Sequence, residues 1–167
     1  MARGPSDFRY REATSADAAS LARMDAECFP LHPYDERLMR EIVARGALCP
    51  VAERDGELAA FAMLDVHPSK GDGLLITLDV GGRWRRRGLG TALLGLCARE
   101  VARAGGSLIV LTTALGNAPA LALYRKLGFT DAGVIEGYYG HDDALVMLHE
   151  DASALAAHAP GADAPSG

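Results

Sequence analysis

The sequence predicts a single α/β domain built on a mixed sheet with helices on both faces. Three observations lead there. Strand and helix patterns alternate along the chain in the order βααβββαβαββ. One strand pattern, Leu74–Val80, is a nearly continuous apolar run, as expected of a strand buried on both faces. It runs into a glycine-punctuated turn and then a long amphipathic helix, with Leu89, Leu93, Leu96, Cys97 and Val101 recurring at spacings of three and four.

The elements follow in order. Residues 1–7 read as a short disordered arm, and Phe8–Ala13 as a first strand. Thr14 or Ser15 caps a helix with Asp17 in its first turn and Leu21 and Met24 on one face. That helix ends near Phe29-Pro30, and Asp35 caps a second one carrying Leu38, Ile42 and Val43. Leu48–Glu53 and Leu58–His67 are strands joined at Arg54-Asp55-Gly56, a hairpin signal. After the long helix, Gly105-Gly106 is the stop and Ser107–Thr113 the next strand. Ala118–Leu127 is a short helix ended by Gly128, and Phe129–Ile135 and Ala144–His149 complete the strands. From Asp151 the chain turns rich in Ala, Pro and Gly and reads as a frayed helix or disordered tail over 151–167. One domain therefore spans 8–150.

Composition narrows the function. With 167 residues, 49% of them hydrophobic, the chain is long enough for one packed core. A net charge of −5 argues against a general nucleic-acid binder, which carries a basic footprint. The one concentrated basic run, Arg83, Arg85, Arg86 and Arg87, suits a small anionic ligand. The three cysteines, Cys28, Cys49 and Cys97, form no CxxC pair, so neither a metal site nor a disulfide framework is expected. Without a signal segment or a membrane-length apolar run, the expected setting is cytoplasmic, off the membrane, as a monomer or homodimer.

The sharpest chemical signal is Arg85-Arg86-Arg87-Gly88-Leu89-Gly90-Thr91, between a buried strand and a helix. Glycines there let the backbone approach a ligand closely, and the helix's first turn presents unpaired N–H groups, a setting for a pyrophosphate. The dipole adds only about 0.3–1 kcal/mol, so directed N–H bonds and flanking arginines must supply the rest. A Walker loop is excluded by the missing Gly-Lys-Ser/Thr. A dinucleotide fingerprint is disfavoured because Leu93 stands where a third small residue belongs. A tight turn with a solvated basic face also fits these residues taken alone.

Arg85-x-x-Gly88-x-Gly90 resembles the signature of the GNAT N-acetyltransferases. Asn117-x-x-Ala120-x-x-x-Tyr124-x-x-x-Gly128-Phe129 resembles that family's second signature, at the expected separation. Within the family, Cys28-Phe29-Pro30, Gly137-Tyr138-Tyr139 and His141-Asp142-Asp143-Ala144 are similar to segments of the RimI-type protein N-terminal acetyltransferases. The resemblance implies a GNAT fold: a twisted, mostly antiparallel sheet of six or seven strands flanked by about four helices. It implies acetyl-CoA as the acyl donor and no metal. Leu78, Asp79 and Val80 would hold the acetyl group and pantetheine arm through their backbone. Arg85, Arg86, Arg87, Gly88, Leu89, Gly90 and Thr91 would hold the pyrophosphate, with Asn117 contacting the cofactor or merely capping its helix. Tyr124 would be the general acid or a packing residue. Phe29, Pro30, His32, Tyr138 and Tyr139 would line the acceptor groove, though both tyrosines could instead pack beside the sheet.

The general base does not carry over. The relatives place Glu or His where Thr112 stands, and a threonine is no base near neutrality. His32, Asp79, Glu27 and His141 are the other candidates. A poor base favours an acceptor that deprotonates easily. An α-amine (pKa near 8) costs about 3.4 kcal/mol less to deprotonate at neutral pH than lysine (near 10.4). A protein or peptide N-terminus is thus the leading acceptor, a small amine such as a polyamine, antibiotic or amino acid the second, and an acyl-CoA-binding module without turnover the third.

Overall fold

The computed structural model describes residues 5–140 and 142–161. The strands are β1 (Arg9–Glu12), β2 (Pro50–Arg54), β3 (Glu57–Val66), β4 (Gly73–Val80), β5 (Ile109–Ala114), β6 (Thr130–Ile135) and β7 (Ala144–His149). The helices are α1 (Ala18–Cys28), α2 (Glu36–Ala44), α3 (Leu89–Arg103), α4 (Ala118–Lys126) and α5 (Ala152–Ala156). The seven strands lie in the order β1-β2-β3-β4-β5-β7-β6. Every neighbouring pair is antiparallel except β4 with β5, so the sheet is mixed and mostly antiparallel.

Local chemistry sets the element ends. The Asp17 carboxylate accepts from the Thr14 N–H at 2.7 Å, half of a capping box on the short 3-10 turn Ser15–Asp17 that leads into α1. Asp35 caps α2 by accepting from the Leu38 N–H at 2.8 Å. Asp55 and Gly56, at φ 52° and 78°, form the tight turn of the β2–β3 hairpin.

The sheet separates two cores. On one face α3 packs Leu89, Leu93, Leu94, Cys97 and Val101 against Leu64, Leu75, Ile109, Leu111 and Met147. On the other, α1 and α2 bring Leu21, Met24, Met39 and Ile42 onto Val51, Phe61 and Met63.

Two expectations are corrected. The run Leu74–Val80 is not buried on both faces: Gly73, Leu75, Thr77 and Asp79 are buried, while Leu74 is 50% exposed. The pairing of β3 with β4 shifts register between Met63 and Leu64. The extra residue on β4 turns Thr77 and Asp79 toward α1, so a polar pair takes inward positions that the apolar run assigned to hydrophobic residues. The segment after Asp151 is ordered through its described part. Asp151 caps α5 by accepting from the Ala154 N–H at 3.0 Å, and Ala152, Leu155 and Ala159 are buried. Their spacing of three and four makes a small apolar stripe, and it seats on α3 where Gly95 has no side chain to obstruct Ala159. Residues 162–167 of the expected tail and 1–4 of the expected arm lie outside the described residues.

Candidate active site

The site begins where two strands part. β4 and β5 pair only at Gly73–Ile109 and Leu74–Val110. Beyond that β5 pairs with β7 along its whole length, and β4 keeps only β3. Buried backbone N–H and C=O groups are nearly always paired. Gly81 N–H donates to the Ala59 carbonyl, so the backbone of Asp79, two residues before it, is turned to β3, and it is Leu78 and Val80 on either side whose backbone groups face a ligand running between the strands. The Val80 carbonyl, at the end of this stretch, accepts from Arg85 Nε at 3.3 Å and from Cys28 Sγ at 3.5 Å.

The chain leaves β4 through Gly81-Gly82 and reaches the turn singled out by its glycines. Arg86 and Gly88 have φ of 63° and 81°, and Arg85–Gly88 are exposed. α3 starts at Leu89, and its first helical N–H bond is from Ala92 to the Gly88 carbonyl at 3.1 Å. The N–H groups of Leu89, Gly90 and Thr91 therefore have no partner within the helix. The two glycines do different jobs. Gly88 supplies the left-handed turn, with nothing closer to an added Cβ than Pro5 Cδ at 3.9 Å. A Cβ on Gly90 would point inward, 3.1 Å from Leu123 Cδ2 and 3.6 Å from Leu78 Cδ2, so this glycine lets α3 close on α4 and β4. The basic run is partly structural. Arg83 and Arg87 lie over the buried Trp84 ring at 4.5 and 5.2 Å, leaving Arg85 and Arg86 nearest the gap and the turn.

α4 lies beyond β5. Asn117 caps it, its side chain accepting from the Ala120 N–H at 3.3 Å. Two turns on from the cap, Tyr124 is buried with its ring tilted against Phe129 at 5.6 Å. Burial, aided by the nearby Asp79 carboxyl and Tyr139, pushes its phenol well above the ordinary tyrosine range, so it stays O–H throughout the physiological range.

The residues expected to line an acceptor groove lie in two turns. After α1, Phe29 is half-buried and Pro30, Leu31 and His32 are exposed. The Tyr34 N–H ties this loop down by donating to Asp25 Oδ2 at 2.7 Å. Between β6 and β7, Tyr138 and Tyr139 meet edge to face at 4.9 Å. They lie in the turn between the two strands, so the strict alternation of facing along a strand does not apply to them. Gly137 N–H donates to Asp143 Oδ1 at 2.8 Å and Tyr139 N–H to the Asp142 carbonyl at 3.0 Å. Asp142 Oδ2 also accepts from Gly116 N–H at 3.0 Å, fastening this turn to the one before α4. Tyr34 senses both Tyr138 and Tyr139 electrostatically, so the fold brings the loop after α1 near the turn before β7.

Of the candidate bases, Glu27 and His32 are exposed on the α1 side, and His141 lies outside the described residues. Thr112 is half-buried in hydrogen-bonding contact with Tyr139. Asp79 is fully buried, its Oδ1 accepting from Thr77 Oγ1 at 2.6 Å. Facing it is a residue that sequence reasoning missed, Asp25, which is 1% exposed. The signal was present: Leu21, Met24, Asp25 and Cys28 follow the spacing of the apolar stripe of α1, with an aspartate on it.

The sequence profile of the acetyltransferase (GNAT) family matches residues 16–129. The chain belongs to that family. Over 140 residues it is 31% identical to the [ribosomal protein bS18]-alanine N-acetyltransferase of Escherichia coli strain K12, covering 81% of this chain and 91% of that one. It is 27% identical over 154 residues to an N-alpha-acetyltransferase of Sulfurisphaera tokodaii, covering 84% and 92%. The crystal structure of the ribosomal-protein-S18-alanine N-acetyltransferase from Escherichia coli superposes with a TM-score of 0.76 at 25% identity, covering 85% of this chain and 92% of that one. The protein is thus a GNAT acetyltransferase with a seven-stranded form of the family's fold, and the family's acyl donor is acetyl-CoA. Among the described residues, no helix is long and apolar enough to cross a membrane.

Proposed function

We infer that this acetyltransferase modifies the α-amino group of a protein or peptide N-terminus. What carries the reading is its likeness, along nearly the whole length of both chains, to enzymes named for N-terminal alanine and N-alpha acetylation. The geometry supports it. Two adjacent turns carrying Tyr34, Tyr138 and Tyr139 offer flat aromatic area and hydroxyls beside the strand gap, as an extended peptide end would use.

In this reading acetyl-CoA lies in the gap between β4 and β5. Its acetyl carbonyl and pantetheine amides run along the backbone of Leu78, Asp79 and Val80 and take the groups there that face the gap. The N–H groups of Leu89, Gly90 and Thr91, with Arg85, Arg86 and Arg87, serve the pyrophosphate. The Gly88 turn keeps the approach open, and Asn117 fixes the start of the helix bearing Tyr124. Phe29, Pro30 and His32 form the outer lip of the acceptor groove. The neutral amine attacks the thioester carbon, a C–N bond forms, and the C–S bond breaks. Tyr124 donates its hydroxyl hydrogen toward the departing sulfur, and the proton lost by the new amide nitrogen restores the phenol.

The test is thiol release from acetyl-CoA over an acceptor panel. Peptides with a free Ala, Ser or Met terminus should react; the same peptides with a blocked α-amine and an internal lysine should not. Turnover confined to polyamines or aminoglycosides would reassign the enzyme to small amines.

A further inference from the structure

A buried pair of carboxyl groups has no part in the chemistry described so far. Asp79, on β4, and Asp25, on α1, are 0% and 1% exposed. Their side chains are within hydrogen-bonding reach of each other. Thr77 donates to Asp79 Oδ1 at 2.6 Å and the Tyr34 N–H to Asp25 Oδ2 at 2.7 Å. The other two oxygens, Asp25 Oδ1 and Asp79 Oδ2, have no N–H or hydroxyl donor among the described residues. Two ionised carboxylates cannot satisfy each other, because each only accepts. One proton between them satisfies both: Asp79 holds it and donates it to Asp25. Burial, and next the Asp25 carboxyl, raise the affinity of Asp79 for that proton well above an ordinary aspartate's.

The pair is placed to hold a loop. Asp25 binds both ends of the segment after α1. Its carbonyl accepts from the Phe29 N–H at 2.7 Å, and its carboxylate from the Tyr34 N–H. Between these ends Pro30, Leu31 and His32 are exposed, Leu31 by 66%. One residue thus closes the loop whose end, Tyr34, comes near Tyr138 and Tyr139. Asp79 fixes that residue in turn. It sits on β4 between Leu78 and Val80, whose backbone faces the gap, and its side chain turns to the face of α1, opposite Phe61 of that core. Contacts therefore run from the cofactor strand through Asp79 and Asp25 to the loop. The other groups around Asp79 are Cys28 from α1, Tyr34, Cys49 before β2, Thr77 on its own strand and Tyr124 from α4. Among the described residues no cation acts on it, so the buried charge of the pair depends on its hydrogen-bond donors.

We propose that the Asp25–Asp79 pair is a proton-bridged latch that holds the Phe29–Tyr34 loop to the cofactor strand, in the position from which it meets the acceptor amine. This rests on that loop bordering the amine site. Both aspartates are positioning residues, shut away from the substrate and exchanging no proton with it. The latch acts on acceptor binding, because the loop it holds meets the amine and not the thioester.

The bridging proton leaves a mark on stability. In the unfolded chain both carboxyls ionise near about pH 3.9. In the fold Asp79 stays protonated well above that. Above the ordinary carboxylate range, unfolding of the wild type therefore releases a proton. Its stability falls as pH rises, until the folded pair gives that proton up. Asp79→Asn is close to isosteric, and its amide donates to Asp25 without a titrating proton, so this loss is absent from it.

The experiment uses the full chain and the best amine that the wild type accepts, which keeps it independent of the acceptor class. Asp25→Ala removes the group to which the Tyr34 N–H donates. The KM for the amine should rise about tenfold, the value of one hydrogen bond to a charged group. Both kcat and acetyl-CoA affinity should stay within about threefold of wild type, as expected when only acceptor binding is lost. The Tyr34 amide hydrogen, followed by NMR, should exchange about tenfold faster in Asp25→Ala and at the wild-type rate in Asp79→Asn. Asp25→Ser is one bond too short for Tyr34 but still a partner for Asp79, and replaces Asp25→Ala where that variant does not fold. In chemical unfolding above about pH 5, the wild type should lose ground to Asp79→Asn by up to about tenfold in the unfolding equilibrium per pH unit. An unchanged amine KM or Tyr34 exchange rate in the folded Asp25 variant overturns the proposal. So does a loss confined to kcat, or wild-type and Asp79→Asn stabilities that run parallel across the whole range. A wild type that turns over only small amines removes the N-terminal reading and leaves this test in force; a wild type inactive on every amine removes both.

Discussion

Replacing Tyr124 by Phe removes one oxygen atom from a side chain that is 6% exposed and leaves its ring against Phe129. The apolar burial is retained, so the stability cost is at most that of one buried hydrogen bond, about 1 kcal/mol. For a chain of this size that is roughly 2–4 °C in melting temperature. If the hydroxyl assists the departing sulfur, kcat should fall by about 10²–10⁴-fold, or about 2.7–5.5 kcal/mol of barrier. Catalysis should therefore suffer far more than folding. The measurement is kcat by thiol release at saturating acetyl-CoA, beside calorimetric affinity and thermal melting on the same sample. Burial adds a second expectation, since it holds the phenol protonated well above its ordinary pKa near 10. Wild-type activity should not decline through ionisation of Tyr124 as pH rises to about 10, where an exposed tyrosine would be half ionised. A folded Tyr124→Phe enzyme within threefold of wild type across that range would reduce Tyr124 to a packing residue and refute the reasoning.

The two glycines of the turn should separate in calorimetry. Gly88→Ala imposes φ 81° on a residue with a Cβ, at about 1–2 kcal/mol, and should weaken acetyl-CoA binding roughly tenfold by tilting the first-turn N–H groups. Gly90→Ala asks only that partly buried Leu123 yield a few tenths of an ångström, so affinity should hold while melting temperature drops; the opposite order would relocate the pyrophosphate. Leu155→Ala should destabilise the domain by about 2–5 kcal/mol in chemical unfolding. No change in the unfolding midpoint would show that α5 contributes nothing to the α3 face.

The order of elements, the two signatures and the family were legible in the sequence because they are local. Capping residues such as Asp35, the turn residues Asp55-Gly56 and the helical spacing of Leu89, Leu93 and Val101 act within one or two turns of chain, and each forms as its neighbours dictate. Gly88 belongs with them, since its left-handed turn is a backbone requirement that few other residues meet. The parting of β4 from β5, the bulge that turns Asp79 toward α1, and its meeting with Asp25 across 54 positions of chain depend on how the strands register. No window of sequence contains both carboxyls, and an apolar run such as Leu74–Val80 has the same composition whichever way its residues face. The segment after Asp151 reads from its composition as a frayed helix or a disordered tail, because what orders its described part is a bare patch on α3 at Gly95, outside its own sequence. Sequence determined which chemical groups this acetyltransferase carries and along which elements. Tertiary structure decided which of them meet and which are shut away from water, because distance and exclusion of water arise only when the sheet and α1 close on each other.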